Sequence, residues 1–218
     1  MFMSALWDTI FALNDTYENA EVFLIDNHIP ALRFGKADNP VIFAAGFGAD
    51  QWQSSVMLLT FFERLLKDVG HGKNMAGIAV RKAFKRRSVV IVPCVCPPNM
   101  KYEGETLALA DLSPFAKYLA YHKAGMLLCV GGENGAVYAP PANEKLPCES
   151  DTVGKILCAC SKLDPANGST DTAAKFCNWV SEKAGIPSYY ISPHSLDTAA
   201  MRYTYASLEE MFVVSALL

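Results

Sequence analysis

The feature that most constrains this chain is an alternation of short apolar runs, rich in β-branched and aromatic residues, with longer stretches of helical periodicity. Such an alternation is typical of a mainly parallel sheet with helices on both faces. We therefore expect an α/β fold of three layers, α/β/α, around a mainly parallel mixed sheet. The apolar runs predict strands at Glu21–Ile25, Ala31–Phe34, Val41–Ala45, Ser88–Pro93, Met126–Val130 and Ser188–Ile191.

The helical stretches begin with an amphipathic N-terminal segment in which Leu6, Ile10 and Leu13 share one face. No linker, repeat or low-complexity tract interrupts the pattern, and 218 residues with 51% hydrophobic side chains can bury one full core. We therefore expect a single domain spanning residues 1–218. The further predicted helices are Ser54–Val69, Met75–Lys85, Ser113–His122, Thr152–Leu163, Thr170–Ala184 and Leu208–Leu217.

Composition excludes several classes of function. The net charge is −3, and the one basic cluster, within residues 81–87, is typical of a solvated helix face, so no nucleic-acid partner is expected. The N-terminal segment contains Asp8 and no basic region, which makes it a poor signal peptide and too short to span a bilayer. Seven cysteines, an odd number in a chain of this size, favour free thiols and a cytoplasmic location.

The turn GFGADQW, Gly46 to Trp52, follows a predicted strand and leads into a predicted helix. In an open α/β sheet, ligands bind at this carboxyl edge. The loops Cys96–Asp111 and Ala139–Asp151 also follow candidate strands, so we expect them at the same edge. Trp52 is expected to pack in the core behind the turn. The helix after it should direct Val56, Leu59 and Phe62 at the sheet.

The order of segments resembles the zinc carboxypeptidase family. The matching segments are IPALRFGKADNPVIFAAGFGADQWQSSVMLLTFFERLL, VVIVPCVCPPN, YHKAGMLLCVGGENGAVYAPP and AGIPSYYISPH. They are similar to the family's G-x-H-x-x-E-W turn, its V-P-x-x-N-P-D-G strand end, its H-x-P-D-L-x-L-D-L-H segment and its G-I-P-A-x-T-I-E segment. The resemblance covers most of the chain and implies the zinc carboxypeptidase-like, phosphorylase/hydrolase-like fold.

The departures from the family pattern fall at the positions that carry its chemistry. The resemblance places the three zinc ligands at Gly48, Gln51 and Gly131, and the catalytic glutamate at Ser192. Glycine has no donor atom, a neutral amide is a poor zinc ligand, and a serine hydroxyl is no general base near neutral pH. No Asn-Arg pair, which in the family binds the substrate carboxylate and oxyanion, follows Pro93. The resemblance therefore implies a pseudoenzyme from which zinc has been lost.

Other sites for chemistry are weaker. Cys94 with Cys96, and Cys158 with Cys160, form C-x-C pairs that are more simply buried thiols than metal ligands. Ser192, His194, Ser195 and Asp197 lie near the expected cleft, but no G-x-S-x-G elbow supports a serine hydrolase.

The GGENG segment, Gly131 to Gly135, has two interpretations. Its backbone could form an anion-binding nest with Glu133 and Asn134 as specificity contacts, or its glycines could simply permit a tight turn.

The sequence therefore predicts a catalytically inactive carboxypeptidase-like protein whose cleft binds a peptide, an amino-acid-like ligand or a protein partner. The candidate cleft residues are Asp50, Gln51, Glu133, Asn134, Ser192 and His194. No cofactor is expected, and a protein partner and an oligomeric state are left open. The alternative is an active hydrolase, a metallopeptidase or amidohydrolase, whose site is rebuilt around Asp50, Glu133 and His194 or takes a metal from unexpected ligands.

Overall fold

A mixed sheet of eight strands forms the centre of the molecule, as a computed structural model shows. The structure describes residues 2–17, 20–36, 38–48, 51–72, 74–75, 78–79, 87–96, 113–140, 144–147, 149–166, 171–195 and 204–210. The eight strands of this sheet are β1 (Ala20–Ile25), β2 (Ile29–Phe34), β3 (Val41–Ala45), β6 (Val89–Val92), β7 (Met126–Val130), β8 (Ala136–Tyr138), β9 (Asp164–Ala166) and β10 (Ser188–Ser192). Strands β4 (Asn74–Met75) and β5 (Ile78–Ala79) form a separate two-stranded sheet.

The strand order in the large sheet is β1-β2-β6-β3-β7-β10-β8-β9. Its centre, β6-β3-β7-β10, is parallel, with Phe43 opposite Ile91 on one side and Leu128 on the other. Strands β1 and β2 extend it by antiparallel pairing, and β8 pairs antiparallel with β10. The mainly parallel mixed sheet that the sequence predicts is therefore confirmed.

Helices cover both faces of the sheet. They are α1 (Phe2–Thr16), α2 (Trp52–Gly70), α3 (Ser113–Tyr121), α4 (Ser150–Ser161), α5 (Thr172–Ala184) and α6 (residues 204–210). Successive strand residues point to opposite faces, so Phe43 belongs to the buried cluster that includes α1, α2 and α4, while Ile42 belongs to the cluster that includes α3 and α5. The expected three layers are present. None of the described helices has both the length and the apolarity needed to cross a membrane.

The expected apolar face of α1 is confirmed, because Leu6, Ile10 and Leu13 are all buried. The expectation for α2 is only partly right. Leu59 and Phe62 are buried, but Trp52 is 48% exposed and Val56 is 42% exposed. These two side chains are one turn apart and lie on the outward face of the helix, so other residues of α2 pack against the sheet.

The predicted helix Met75–Lys85 is wrong at its start, because Asn74–Met75 and Ile78–Ala79 pair as two short antiparallel strands. The sequence has Gly77 within the predicted helix, and glycine is unfavourable in a helix interior. Residues 76–77 and 80–85 of that prediction lie outside the described residues. A helix covers residues 204–210, so the predicted helix Leu208–Leu217 is helical at residues 208–210, and its remainder lies outside the described residues.

The loop that follows Tyr138 does not lie at the carboxyl edge of the sheet, where we expect it. Because β8 runs antiparallel to β10, with Tyr138 opposite Tyr190 and Ala136 opposite Ser192, its carboxyl end points to the amino edge of the parallel strands. The described part of the loop Ala139–Asp151 is therefore at the edge opposite GFGADQW. Of the loop Cys96–Asp111, only Cys96 is described.

Candidate functional site

The turn after β3 is held by a short series of hydrogen bonds. The backbone N–H of Gln51 donates to the Gly48 oxygen at 3.1 Å, and the Ser54 hydroxyl donates to the Gln51 oxygen at 2.7 Å. The chain after β6 runs alongside, because Val95 N–H donates to Ala45 O and Cys96 N–H donates to Gly46 O, both at 3.0 Å. The ends of β3 and β6 are thus tied together at the carboxyl edge.

The turn brings Gln51 to the end of β7. A methyl group placed on Gly131 would lie 2.5 Å from Gln51 Oε1, so the carboxamide fills the space that a side chain at position 131 would enter. Gln51 Oε1 is buried and has no hydrogen-bond partner among the described residues. Two of the three positions that the resemblance assigns to zinc are therefore in contact, through an amide oxygen and a glycine.

The GGENG segment forms a tight turn. Gly132 and Gly135 have φ angles of +63° and +67°, which favour glycine. Gly131 N–H donates to Ile191 O at 3.1 Å, Asn134 N–H to Ser192 Oγ at 2.8 Å and Gly135 N–H to Pro193 O at 3.2 Å. Since these N–H groups are used inside the protein, they support the tight-turn interpretation over an anion-binding nest. The side chains of Glu133 and Asn134 are exposed.

Ser192 and His194 differ in accessibility. Ser192 is fully buried, and its hydroxyl accepts the Asn134 N–H, which gives it a structural role. His194 is exposed, and its ring lies against Gly135, where no room is left for a Cβ atom. Both residues do lie at the carboxyl edge with Gln51, Glu133 and Asn134. Asp50 and Asp197 lie outside the described residues.

A hydrogen-bonded pair below this turn, a buried tyrosine and a partly buried aspartate, is not predicted by the sequence. Tyr190 Oη donates to Asp171 Oδ2 at 2.7 Å, and Asp171 Oδ1 accepts the Ala173 N–H at 2.9 Å as the N-cap of α5. A methyl group on Gly132 would lie 2.6 Å from Tyr190 Oη. Burial first, and then the Asp171 carboxylate, raise the pKa of Tyr190 far above its ordinary value. The sequence signals only the helix-capping role of Asp171, as an aspartate directly before Thr172, and not its contact with Tyr190.

The donor set does not suit zinc. Gly48 and Gly131 have no donor atom, and Gln51 offers a neutral amide oxygen. Among the described residues no three His, Cys, Asp or Glu side chains are grouped so that they could hold a metal ion. Cys94 is buried, and burial raises the pKa of its thiol to about 11, which disfavours the thiolate that binds metals. Burial also raises the pKa of Cys158 and of Cys160.

Solved structures of metallo-carboxypeptidases superpose on nearly the whole chain. The structure of thrombin activatable fibrinolysis inhibitor matches with a TM-score of 0.69 and 11% identity, over 97% of this chain and 72% of that one. A metallo-carboxypeptidase from Burkholderia cenocepacia gives 0.64 and 13%, over 97% and 67%. One from Pseudomonas aeruginosa, in complex with (2-guanidinoethylmercapto)succinic acid, gives 0.64 and 13%, over 98% and 68%. The chain has the metallo-carboxypeptidase fold.

No protein-family profile matches the chain, and no curated protein matches it either. The similarity to metallo-carboxypeptidases is therefore one of fold, and function has to be argued from the site. In this carboxypeptidase fold the carboxyl edge carries an amide, glycines and a buried serine at the positions that the resemblance assigns to ligands and base.

Proposed function

We propose that this protein is a non-catalytic member of the carboxypeptidase fold that binds a peptide or amino-acid-like ligand at the carboxyl edge of its sheet. The observation that carries the proposal is the contact of Gln51 Oε1 with Gly131. It puts a neutral carboxamide at one of the three positions where the resemblance implies a zinc ligand, and that carboxamide fills the space that a side chain at a second position, Gly131, would enter. Without a metal and without a base, peptide hydrolysis by the family's route has no water activation.

Gln51 also supplies a reason to expect a ligand. A buried carbonyl oxygen left without a donor costs roughly 1–3 kcal/mol, so such atoms call for an explanation. Gln51 Oε1 is such an atom among the described residues. A ligand with an N–H group, as in a peptide bond or an ammonium group, would satisfy it.

The exposed start of α2 supplies an apolar contact. Trp52, which directly follows Gln51, is 48% exposed, and Val56, on the same face of the helix one turn later, is 42% exposed. Exposed apolar groups that lie together are typical of binding surfaces. A ligand held at Gln51 could place an apolar group against them, which suits a peptide better than a small polar ion.

Metal analysis tests the non-catalytic part of the proposal. Protein purified without chelator and then dialysed against zinc should hold far less than one zinc per chain by elemental mass spectrometry. The triple variant Gly48→His, Gln51→Glu, Gly131→His is the positive control, because it restores the donor types that the resemblance implies. One tightly held zinc per unmodified chain would overturn the proposal.

Ligand screening tests the binding part. Dipeptides such as Gly-Leu, Gly-Lys and Gly-Glu should include at least one that raises the midpoint of thermal unfolding, since a ligand of the native state stabilises it. Trp52→Ala and Gln51→Leu should reduce that shift. Tyr121→Ala, at a side chain that is 83% exposed on α3, should leave it unchanged. Equal shifts in all variants, or no shift with any peptide, would contradict binding at this site.

The hydrolase alternative predicts a different outcome in the same samples. Turnover of a peptide or amide substrate that is lost in Glu133→Ala or His194→Ala would mean a rebuilt active site.

We propose that the protein works in the cytoplasm, as its cysteine count favours.

A further inference from the structure

A second candidate site lies at the opposite edge of the sheet. A cavity of about 300 Å³ opens there, at the amino ends of β3 and β7. This volume is at the lower end of the range for small-molecule sites. The lining residues that decide its chemistry are Arg87, Ser150, Glu149, Val41, Met126 and Val153.

The antiparallel course of β8 explains why a cavity forms at this edge. It carries the chain to the amino edge, where Pro147 and Glu149 lead into α4. Tyr189 fixes the start of that helix, because its hydroxyl donates to the Ser150 backbone oxygen at 2.9 Å. On the facing side, a methyl group on Gly125 would lie 3.4 Å from Arg87 Nη1. The Arg87 guanidinium thus lies beside Gly125, which has no side chain to cover it.

The cavity contains polar groups that suit an anion. Ser150 is only 7% exposed, and its Oγ has no hydrogen-bond partner among the described residues. Ser150 is the first residue of α4, and Glu149, the N-cap, makes no side-chain hydrogen bond to the helix. A helix N-terminus attracts negative charge through its backbone N–H groups. Arg87 adds a planar cation that matches a carboxylate.

The other lining groups restrict the ligand further. Val41, Met126 and Val153 are buried and give the cavity an apolar wall. Glu149 is exposed, and its carboxylate repels negative charge in the cavity, a dianion more strongly than a monoanion. The lining therefore favours a singly charged head on an apolar body over a phosphate dianion.

We propose that this cavity binds a small monocarboxylate with an apolar body. The carboxylate lies between the Arg87 guanidinium and the first turn of α4, where the Ser150 hydroxyl donates to it, and the apolar part packs against Val41, Met126 and Val153. This site is separate from the one at Gln51, and it does not depend on the function proposed there.

The test uses 4-methylpentanoate as the probe, with saturation-transfer NMR and thermal unfolding as readouts. Saturable binding is expected, together with a higher midpoint of unfolding. The matched amine, 4-methylpentan-1-amine, and inorganic phosphate should bind at least tenfold more weakly. Tighter or equal binding of either would overturn the assignment to monocarboxylates.

Variants locate the binding. Arg87→Gln and Ser150→Ala should each weaken 4-methylpentanoate binding, Arg87→Gln by about tenfold or more because a charge-assisted contact is lost. Arg64→Gln removes an exposed guanidinium on α2, at an ion pair with Glu209, and should change nothing. No saturable binding to the unmodified protein, or equal binding in Arg87→Gln and Arg64→Gln, would overturn the proposal.

Discussion

Gly46 shows at the scale of one residue how the carboxyl edge is built. It follows β3 with a φ of +67°, and a methyl group there would lie 2.7 Å from Ser55 Oγ and 3.0 Å from both Cys94 Cα and Pro93 O. Two of these three atoms are backbone atoms of the chain after β6, so they cannot swing away. The turn that presents Gln51 therefore requires a glycine at position 46 for two reasons, its positive φ angle and the close approach of two strand ends.

Replacing Gly46 with alanine should lower the free energy of unfolding by about 2–4 kcal/mol, from the positive φ and the crowding together. Gly72→Ala is the matched control, since Gly72 has a similar φ of +65° and nothing within 4 Å of the added methyl group. Only the dihedral cost, about 1–2 kcal/mol, is expected there. Urea unfolding followed by circular dichroism measures both. Equal losses in the two variants would show that the close approach contributes nothing.

The sequence could predict some of these residues and not others. The resemblance aligned Gln51 and Gly131 with ligand positions, and the structure brings the two into contact. The exposure of Trp52 could not be predicted, because a tryptophan after a strand is usually buried and only the packing of α2 turns it outward. The Tyr190–Asp171 pair joins residues 19 positions apart, which no local pattern reveals.

At the scale of elements, α5 is attached to the sheet through its first turn. Asp171 caps the helix through Ala173 N–H, and it accepts the Tyr190 hydroxyl from β10. One carboxylate therefore serves both the helix start and a buried strand residue below the Gly131–Gly135 turn.

Asp171→Ala should lower the free energy of unfolding by about 2–4 kcal/mol, because it removes a helix cap and leaves a buried hydroxyl without its acceptor. Asp171→Asn keeps a side-chain oxygen for the cap, so a loss of about half that size is expected. Chemical denaturation of the two variants beside the unmodified protein measures the difference. If Asp171→Asn were as unstable as Asp171→Ala, the negative charge would matter more than the cap.

Strand prediction succeeded where strands were long and failed where they were short. The apolar runs at β3, β6, β7 and β10 are four or five residues long and buried on both faces, which makes them visible in sequence. Strands β8 and β9 have three residues each, too few for a period to appear. Because the sequence does not predict β8, it also gives the wrong edge for the loop that follows β8. The antiparallel direction of β8 decides which edge of the sheet that loop reaches.

At the scale of the whole molecule, buried acids tie stability to pH on the alkaline side. Burial raises the pKa of Tyr189 to about 12 and that of Cys94 to about 11, and burial together with Asp171 raises the pKa of Tyr190 further. In the unfolded chain these groups ionise near their ordinary values, 10.0 for tyrosine and 9.0 for cysteine. Above those values the unfolded state binds fewer protons than the native state, so stability falls as pH rises.

Tyr190→Phe should reveal how much of the loss of stability at alkaline pH comes from Tyr190. Below pH 10 the variant is expected to be less stable than the unmodified protein, by about 1–2 kcal/mol, because Asp171 loses a hydrogen bond. Above pH 10 the unmodified protein loses up to about 1.4 kcal/mol per pH unit that the variant does not, so the gap should narrow and can reverse. Urea unfolding at pH 8, 10 and 11 measures the gap, with Tyr121→Phe as the exposed control. A gap that stays constant across these pH values would mean that Tyr190 does not hold its proton through burial, and that the packing below the Gly131–Gly135 turn is open to water.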